Sequence, residues 1–240
     1  MTTQITLPTR LTSEPIVDVT CEVRFEASKA GVANLLPGLL VGKLGDFEDV
    51  EKLVVSDFPE ALLVHEAFKY QPHLRLKNGN LFVAVSNNSL AISSKPPYSG
   101  WGEFKAYVLK VFEVLRESKL AQKVTRLSLR YADVIPTESS SGLDLLDVDL
   151  RLAHVRDYES VQINLSRRID DIFIITQVGT PAQAGDGRQG LVVDVDTICD
   201  AEDDFWGTLD HALNRLHSAN KEVFFGLLKH ETLEALGPEY

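Results

Sequence analysis

Leu74-Arg75-Leu76-Lys77-Asn78-Gly79-Asn80-Leu81-Phe82-Val83-Ala84-Val85-Ser86-Asn87-Asn88-Ser89-Leu90-Ala91-Ile92-Ser93-Ser94 decides the fold class. Apolar or alternating runs at 74–77, 81–86 and 90–94 are separated by Asn78-Gly79 and by Asn87-Asn88. Asn-Gly favours a tight hairpin because both turn residues must tolerate positive φ. The stretch therefore predicts a three-stranded antiparallel meander. Pro96-Pro97 ends it. Residues 100–118 then place Trp101, Phe104, Val108, Val111, Phe112 and Leu115 along one side of a helix.

The same patterns extend in both directions. In Val17-Asp18-Val19-Thr20-Cys21-Glu22-Val23-Arg24-Phe25 the odd positions are apolar and the even ones polar, the period of a half-buried strand. A helix is expected next, capped by Ser28, with a stripe of Val32, Leu35, Leu36, Leu39 and Leu40 and a kink at Pro37. Residues 45–72 carry little pattern beyond a short strand at Leu53–Val55. Downstream, a long strand from Val124 to Ile135 sets Leu127, Leu129 and Tyr131 against Arg126, Ser128 and Arg130. An exposed loop at 136–143 precedes an edge strand over Leu145–Leu152. A second meander follows at Ser160–Arg167, Ile172–Gln177 and Leu191–Ile198. The last helix is predicted from Asp203 to Lys229, with acidic residues at its start to suit the helix dipole.

Strands that alternate rather than run uniformly apolar belong to an antiparallel sheet with one wet face. The expected class is α+β: about eight strands, two long helices and the kinked N-terminal helix on one face, and a polar face left open. A single domain over 1–240 accounts for the length. The repeated order of meander, link and long helix leaves open one continuous sheet or a pseudo-duplication with halves 15–135 and 144–240. Trp101 and Trp206 both fall in the first turn of a long helix, where substantial burial at equivalent positions is expected.

Composition excludes several classes. Hydrophobic residues are 44% and charged residues 25% of the chain, as in ordinary globular proteins. No apolar run reaches the roughly 18–20 residues that a membrane helix needs, and Met1 to Arg10 lacks the pattern of a secretory leader. The net charge is −11. Residues 1–120 hold 13 basic and 14 acidic side chains, and residues 121–240 hold 11 and 21. Such a chain repels a phosphate backbone, so neither bulk nucleic-acid binding nor membrane binding is expected. Cys21 and Cys199 form no disulfide framework or zinc cluster, which points to a reducing, cytoplasmic setting.

Motifs of chemistry are few. Gly185-Asp186-Gly187-Arg188-Gln189-Gly190 matches G-x-G-x-x-G, but a strand follows it where a dinucleotide site needs a helix. It reads as the loop of a hairpin, over 180–189. Asp194 with Asp196, and Asp147 with Asp149, are spaced to share a strand face, as a metal site or acid–base pair would need, yet no histidine accompanies them, and the solvated face of a strand is the preferred reading. The six histidines form no H-x-x-x-H pair. No metal, cofactor or catalytic residue is assigned.

The polar strand faces are the remaining candidate. Arg24, Arg126 and Arg130 are expected to project from the open face. Guanidinium forks suit carboxylate and phosphate groups because their donors match two oxygens at once. A lattice of cross-strand ion pairs, Glu22 with Arg126 or Arg130, is the plain alternative. The leading reading is a non-enzymatic interaction or ligand-binding protein, with a protein partner or self-association expected and a small phosphate-bearing ligand as a further candidate. The rival is an enzyme acting on a phosphate-containing substrate through arginines and carboxylates of that face.

Pro15-Ile16-Val17 with Cys21-Glu22-Val23-Arg24-Phe25, Leu129-Arg130-Tyr131, Leu216-His217, Phe224-Phe225-Gly226-Leu227-Leu228 and the ending Leu236-Gly237-Pro238-Glu239-Tyr240 together resemble a sporadically distributed family of uncharacterised bacterial and archaeal proteins of about this length. The resemblance brings no activity and no catalytic residues. The family's patchy distribution implies an accessory of a bacterial defence or toxin–antitoxin-like system.

Overall fold

The structure is a computed structural model that describes residues 7–138, 142–155 and 158–240. The strands are β1 (Arg10–Leu11), β2 (Ile16–Ala27), β3 (Asp49–Lys52), β4 (Leu74–Asn78), β5 (Leu81–Val85), β6 (Ser89–Ser94), β7 (Ala121–Pro136), β8 (Val161–Ile169), β9 (Ile172–Gln183), β10 (Gln189–Asp200) and β11 (Pro238–Glu239). The helices are α1 (Val32–Leu44), α2 (Glu60–Leu63), α3 (Trp101–Ser118), α4 (Phe205–Leu227) and α5 (His230–Ala235). The class is α+β. Nine strands hydrogen-bond in the order β3-β4-β5-β6-β2-β7-β10-β9-β8, and β1 pairs with β11 in a small separate sheet. The pairings β3–β4, β4–β5, β5–β6, β2–β6 and β8–β9 are antiparallel. No helix among the described residues is long and apolar enough to cross a membrane.

The chain divides into two compact units built from interleaved segments. One comprises Val19–Leu129 and Ile198–Asn214. Its meander follows the Asn-Gly reading, with Asn78 opposite Leu81 across the turn. The alternation of β2 buries Val19, Cys21, Val23 and Phe25. Leu36 and Leu40 of α1 and Phe104, Val108, Phe112 and Leu115 of α3 complete the core. Each such side chain contributes roughly 1.5–3 kcal/mol on burial. α1 runs as one helix with Pro37 inside it. Its expected stripe divides: Val32, Leu36 and Leu40 are buried, whereas Leu35 and Leu39 face water. Ser28 is not the cap. Gly31, at φ 78°, starts the helix, and the Ser28 hydroxyl donates to the Lys119 carbonyl at 2.9 Å.

Neither tryptophan is fully buried. Trp101 and Trp206 are half-buried, and the phenylalanines beside them, Phe104 and Phe205, take the interior positions. The indole N–H of Trp101 reaches Asn214 Oδ1 at 3.4 Å, so its polar edge stays near the helix surface. Trp206 lines a cleft of about 420 Å³ with Phe205, Glu26, Lys123, Glu202 and Asp203.

The second unit comprises residues up to Asp18, Arg130–Thr197 and Arg215–Tyr240. Leu191, Val193 and Val195 of β10 and Ile174 and Val178 of β9 are buried with Leu216, Val223 and Phe224 of α4. Two side-chain bonds tie helix and strand: the Asn220 amide donates to the Val195 carbonyl at 2.7 Å, and the Thr197 hydroxyl to the Leu216 carbonyl at 3.2 Å. The strand expected over Leu145–Leu152 does not form. Leu143–Leu145 is a 3-10 turn, and the Leu145 carbonyl is taken by the Lys229 amide and the Thr232 hydroxyl. The glycine-bearing loop is shorter than expected. β9 and β10 extend to Gln183 and Gln189, and the tip closes with Ala184 N–H to Arg188 O at 2.7 Å.

Cys21 and Cys199 are buried and unbridged. Thiol counting under denaturing, non-reducing conditions is expected to return two free thiols, and a mass 2 Da below the reduced chain would contradict it.

Candidate functional site

Arg130 and Asp194 share a face of β7 and β10 in the second unit. The Arg130 Nε lies 2.9 and 3.0 Å from the two Asp194 oxygens, and Nη2 donates to Oδ2 as well. The fork is side-on and engaged by one carboxylate. These hydrogen bonds hold Arg130 above its ordinary pKa, and the charges of Asp194, Asp18 and Asp196 act in the same direction. The surroundings of this arginine are therefore acidic, which opposes capture of a phosphate. The Asp194 side chain is only 10% exposed and that of Arg130 is 47% exposed. Removing the guanidinium strands a buried carboxylate. Arg130→Ala is expected to cost about 1–3 kcal/mol in urea unfolding, and Asp194→Ala added to it should recover part of that loss. An unchanged midpoint in Arg130→Ala would show that the pair contributes nothing.

Asp133 lies three residues further along β7, in the inward register of Tyr131 and Ile135. It is buried, and burial pushes its pKa up to about 8; the charges of Asp194 and Glu14 add to the rise, and Arg188 opposes it. Burial also raises Glu14, with Arg10 acting against the shift. Arg188, at the hairpin tip, donates to the Glu14 carbonyl at 3.2 Å and the Ile16 carbonyl at 2.9 Å, and its Nε to Asp186 at 2.8 Å. It fastens the start of β2 beside Asp133. On the same face of β7, the Tyr131 hydroxyl is 3.2 Å from His217 Nδ1. Asp133 is thus a carboxylic acid that keeps its proton at neutral pH, enclosed rather than presented to a ligand. The signal for it was in the sequence: a single acid in the apolar register of a long strand.

The other unit holds Arg24 and Arg126, so the three arginines do not fall in one unit. Arg24 donates to Glu22 at 2.6 Å, two residues away on its own strand, and its guanidinium stacks 4.2 Å over the Tyr70 ring. Glu22 therefore pairs along β2 with Arg24. Arg75 donates to Glu51 at 2.9 Å, and Lys77 lies 3.7 Å from Glu48. Arg126 is half-buried on β7. Among the described residues, no group of three or more His, Cys, Asp or Glu is placed to hold a metal ion.

The two outer strands of the sheet differ. β3 has four residues, all exposed, including Asp49, Glu51 and Lys52. Short, charged strands are the usual protection of a sheet edge. β8 has nine residues and, among the described residues, pairs only with β9. Ile163 and Leu165 lie opposite Val178 and Thr176, on the face that β9 buries, yet Leu165 is 58% and Ile169 42% exposed. This second edge was read from sequence only as part of a meander; its outer position depends on strand order, which the chain's local pattern does not carry. No family model matches the chain, and no curated protein matches it.

Proposed function

We propose that the chain is a non-enzymatic binding protein that takes up a protein partner along the free edge of β8. The observation that carries this reading is the long outer strand on which Leu165 and Ile169 are exposed and Ile163 is half-buried. Strand addition at such an edge gains main-chain hydrogen bonds, and the alternating side chains give specificity. The alternatives built on the arginines fit less well, because Arg24 and Arg130 already bind carboxylates and Arg130 sits in an acidic field. Titration with inorganic phosphate or pyrophosphate is accordingly expected to show no binding. The resemblance to a sporadic family extends the proposal to an accessory of a defence or toxin–antitoxin-like system in a bacterial cytoplasm, which a constant toxin, nuclease or sensor gene beside it would support. The recurrence of a hairpin-linked set of strands followed by a long helix, β4–β6 with α3 and β8–β10 with α4, supports a pseudo-duplicated origin.

The test is capture from the native host with the parent chain and with Leu165→Lys, followed by mass spectrometry. Leu165 is exposed, so the variant is expected to keep the parent's melting temperature. A protein that the parent holds and the variant loses is the expected result. A partner held equally by both would place the contact elsewhere.

A further inference from the structure

We infer that the occupant of the β8 edge is a second copy of this chain, paired antiparallel about Ile163; the inference rests on the reading of β8 as the docking edge. An isologous contact must be self-complementary, so residues equidistant from the two-fold axis must suit one another. Opposed residues of an antiparallel pair share a face, so only registers that match odd with odd positions keep Ile163 and Leu165 together on one side. With Ile163 on the axis, Ile163 meets its own counterpart and Val161 meets Leu165. Glu159, two residues ahead of the strand, meets Arg167.

Charge selects this register over its neighbours. Moving the axis to Asn164 sets Arg167 against Val161 and Glu159 against Ile169. Moving it to Leu165 sets Arg167 against Ile163 and Glu159 against Asp171. Moving it to Gln162 sets Glu159 against Leu165. Only the Ile163 axis among these pairs acid with base and apolar with apolar. Neither Glu159 nor Arg167 takes part in an ion pair among the described residues. The adjacent arginine differs: Arg168 is turned onto its own hairpin, over the Phe173 ring at 5.5 Å and toward the Asp171 carbonyl at 3.4 Å. Of the two neighbouring arginines, Arg167 is thus the one available to a facing strand. The remaining backbone groups of β8 gain the ladder that the outer position denies them.

Sedimentation equilibrium of the full chain across micromolar concentrations tests this. The parent is expected to dimerise. Leu165→Lys should weaken the dimer about a hundredfold, and Arg167→Glu or Glu159→Arg alone about tenfold each. The swap carrying both Arg167→Glu and Glu159→Arg should restore the parent affinity, a recovery that a merely structural role would not produce. A chain that stays monomeric, or a dimer indifferent to Leu165→Lys, overturns self-pairing. A dimer that Leu165→Lys weakens but the swap does not restore overturns the Ile163 register. If the chain is monomeric while a different protein from the host is still lost on Leu165→Lys, self-pairing fails and the proposed docking edge stands. If Leu165→Lys alters neither, both fail.

Discussion

Asp133→Asn is expected to be about 4–5 kcal/mol more stabilising at pH 8 than at pH 4. The carboxyl titrates at 3.8 ordinarily and at about 8 in the folded chain. Between those values the folded state holds a proton that the unfolded state has released. Stability therefore falls as pH rises through that window, and the full penalty is present above pH 8. Four units of difference correspond to roughly 5 kcal/mol. An asparagine amide in the same place cannot ionise, but it must bury its own polar atoms, which lowers the gain by the same amount at every pH. Urea unfolding at pH 4, 6 and 8 reads the effect. A gain of the same size at all three pH values would show that ionisation of Asp133 is not its source.

Gly190→Ala is expected to cost about 3 kcal/mol or more, while Gly185→Ala stays within about 0.5 kcal/mol of the parent. A Cβ at 190 would sit 2.0 Å from the Ile135 carbonyl oxygen and 3.0 Å from the Pro136 Cα, and both are backbone atoms that cannot swing aside. At 185 nothing lies within 4 Å of such a Cβ. The last glycine of the G-x-G-x-x-G string thus serves close strand packing and not the approach of a pyrophosphate. Chemical unfolding of the two variants separates them. Equal midpoints would overturn the packing role of Gly190, and NAD binding by the parent that is lost on Gly187→Val would overturn the reading of the string as a hairpin loop.

Local pattern was legible where one short-range force decides. The Asn78-Gly79 turn, the alternation of β2 and the apolar side of α3 all have the structure their spacing predicts. Reading failed where two residues compete for one role or where a distant segment intervenes. Phe104 and Phe205, smaller than the indoles and without an N–H that needs a partner, are buried more completely than Trp101 and Trp206 beside them. Leu145–Leu152 has the alternation of a strand, but Leu145 and Asp147 spend their backbone groups on α4, α5 and the link between them. Glu22 had three arginines to choose from; proximity along one strand, invisible to a search for cross-strand partners, selected Arg24. Asp133 was passed over because attention to charge followed the wet face of the strand, and this acid lies on the dry one.

The segment that leads into β2 has a consequence for synthesis. Its contacts are with residues far along the chain: Pro15 with Val134, Glu14 and Ile16 with Arg188, Ser13 with Leu236, Thr12 with Gly237 and Thr9 with Glu239. As the chain emerges from the ribosome, this stretch precedes every one of these neighbours by more than about a hundred residues. Until those residues are made it lacks these hydrogen bonds, which leaves its backbone accessible to proteases and to holding chaperones. A pause before codon 134 leaves it without any of these partners, and only a chain translated through Glu239 can fasten Thr9.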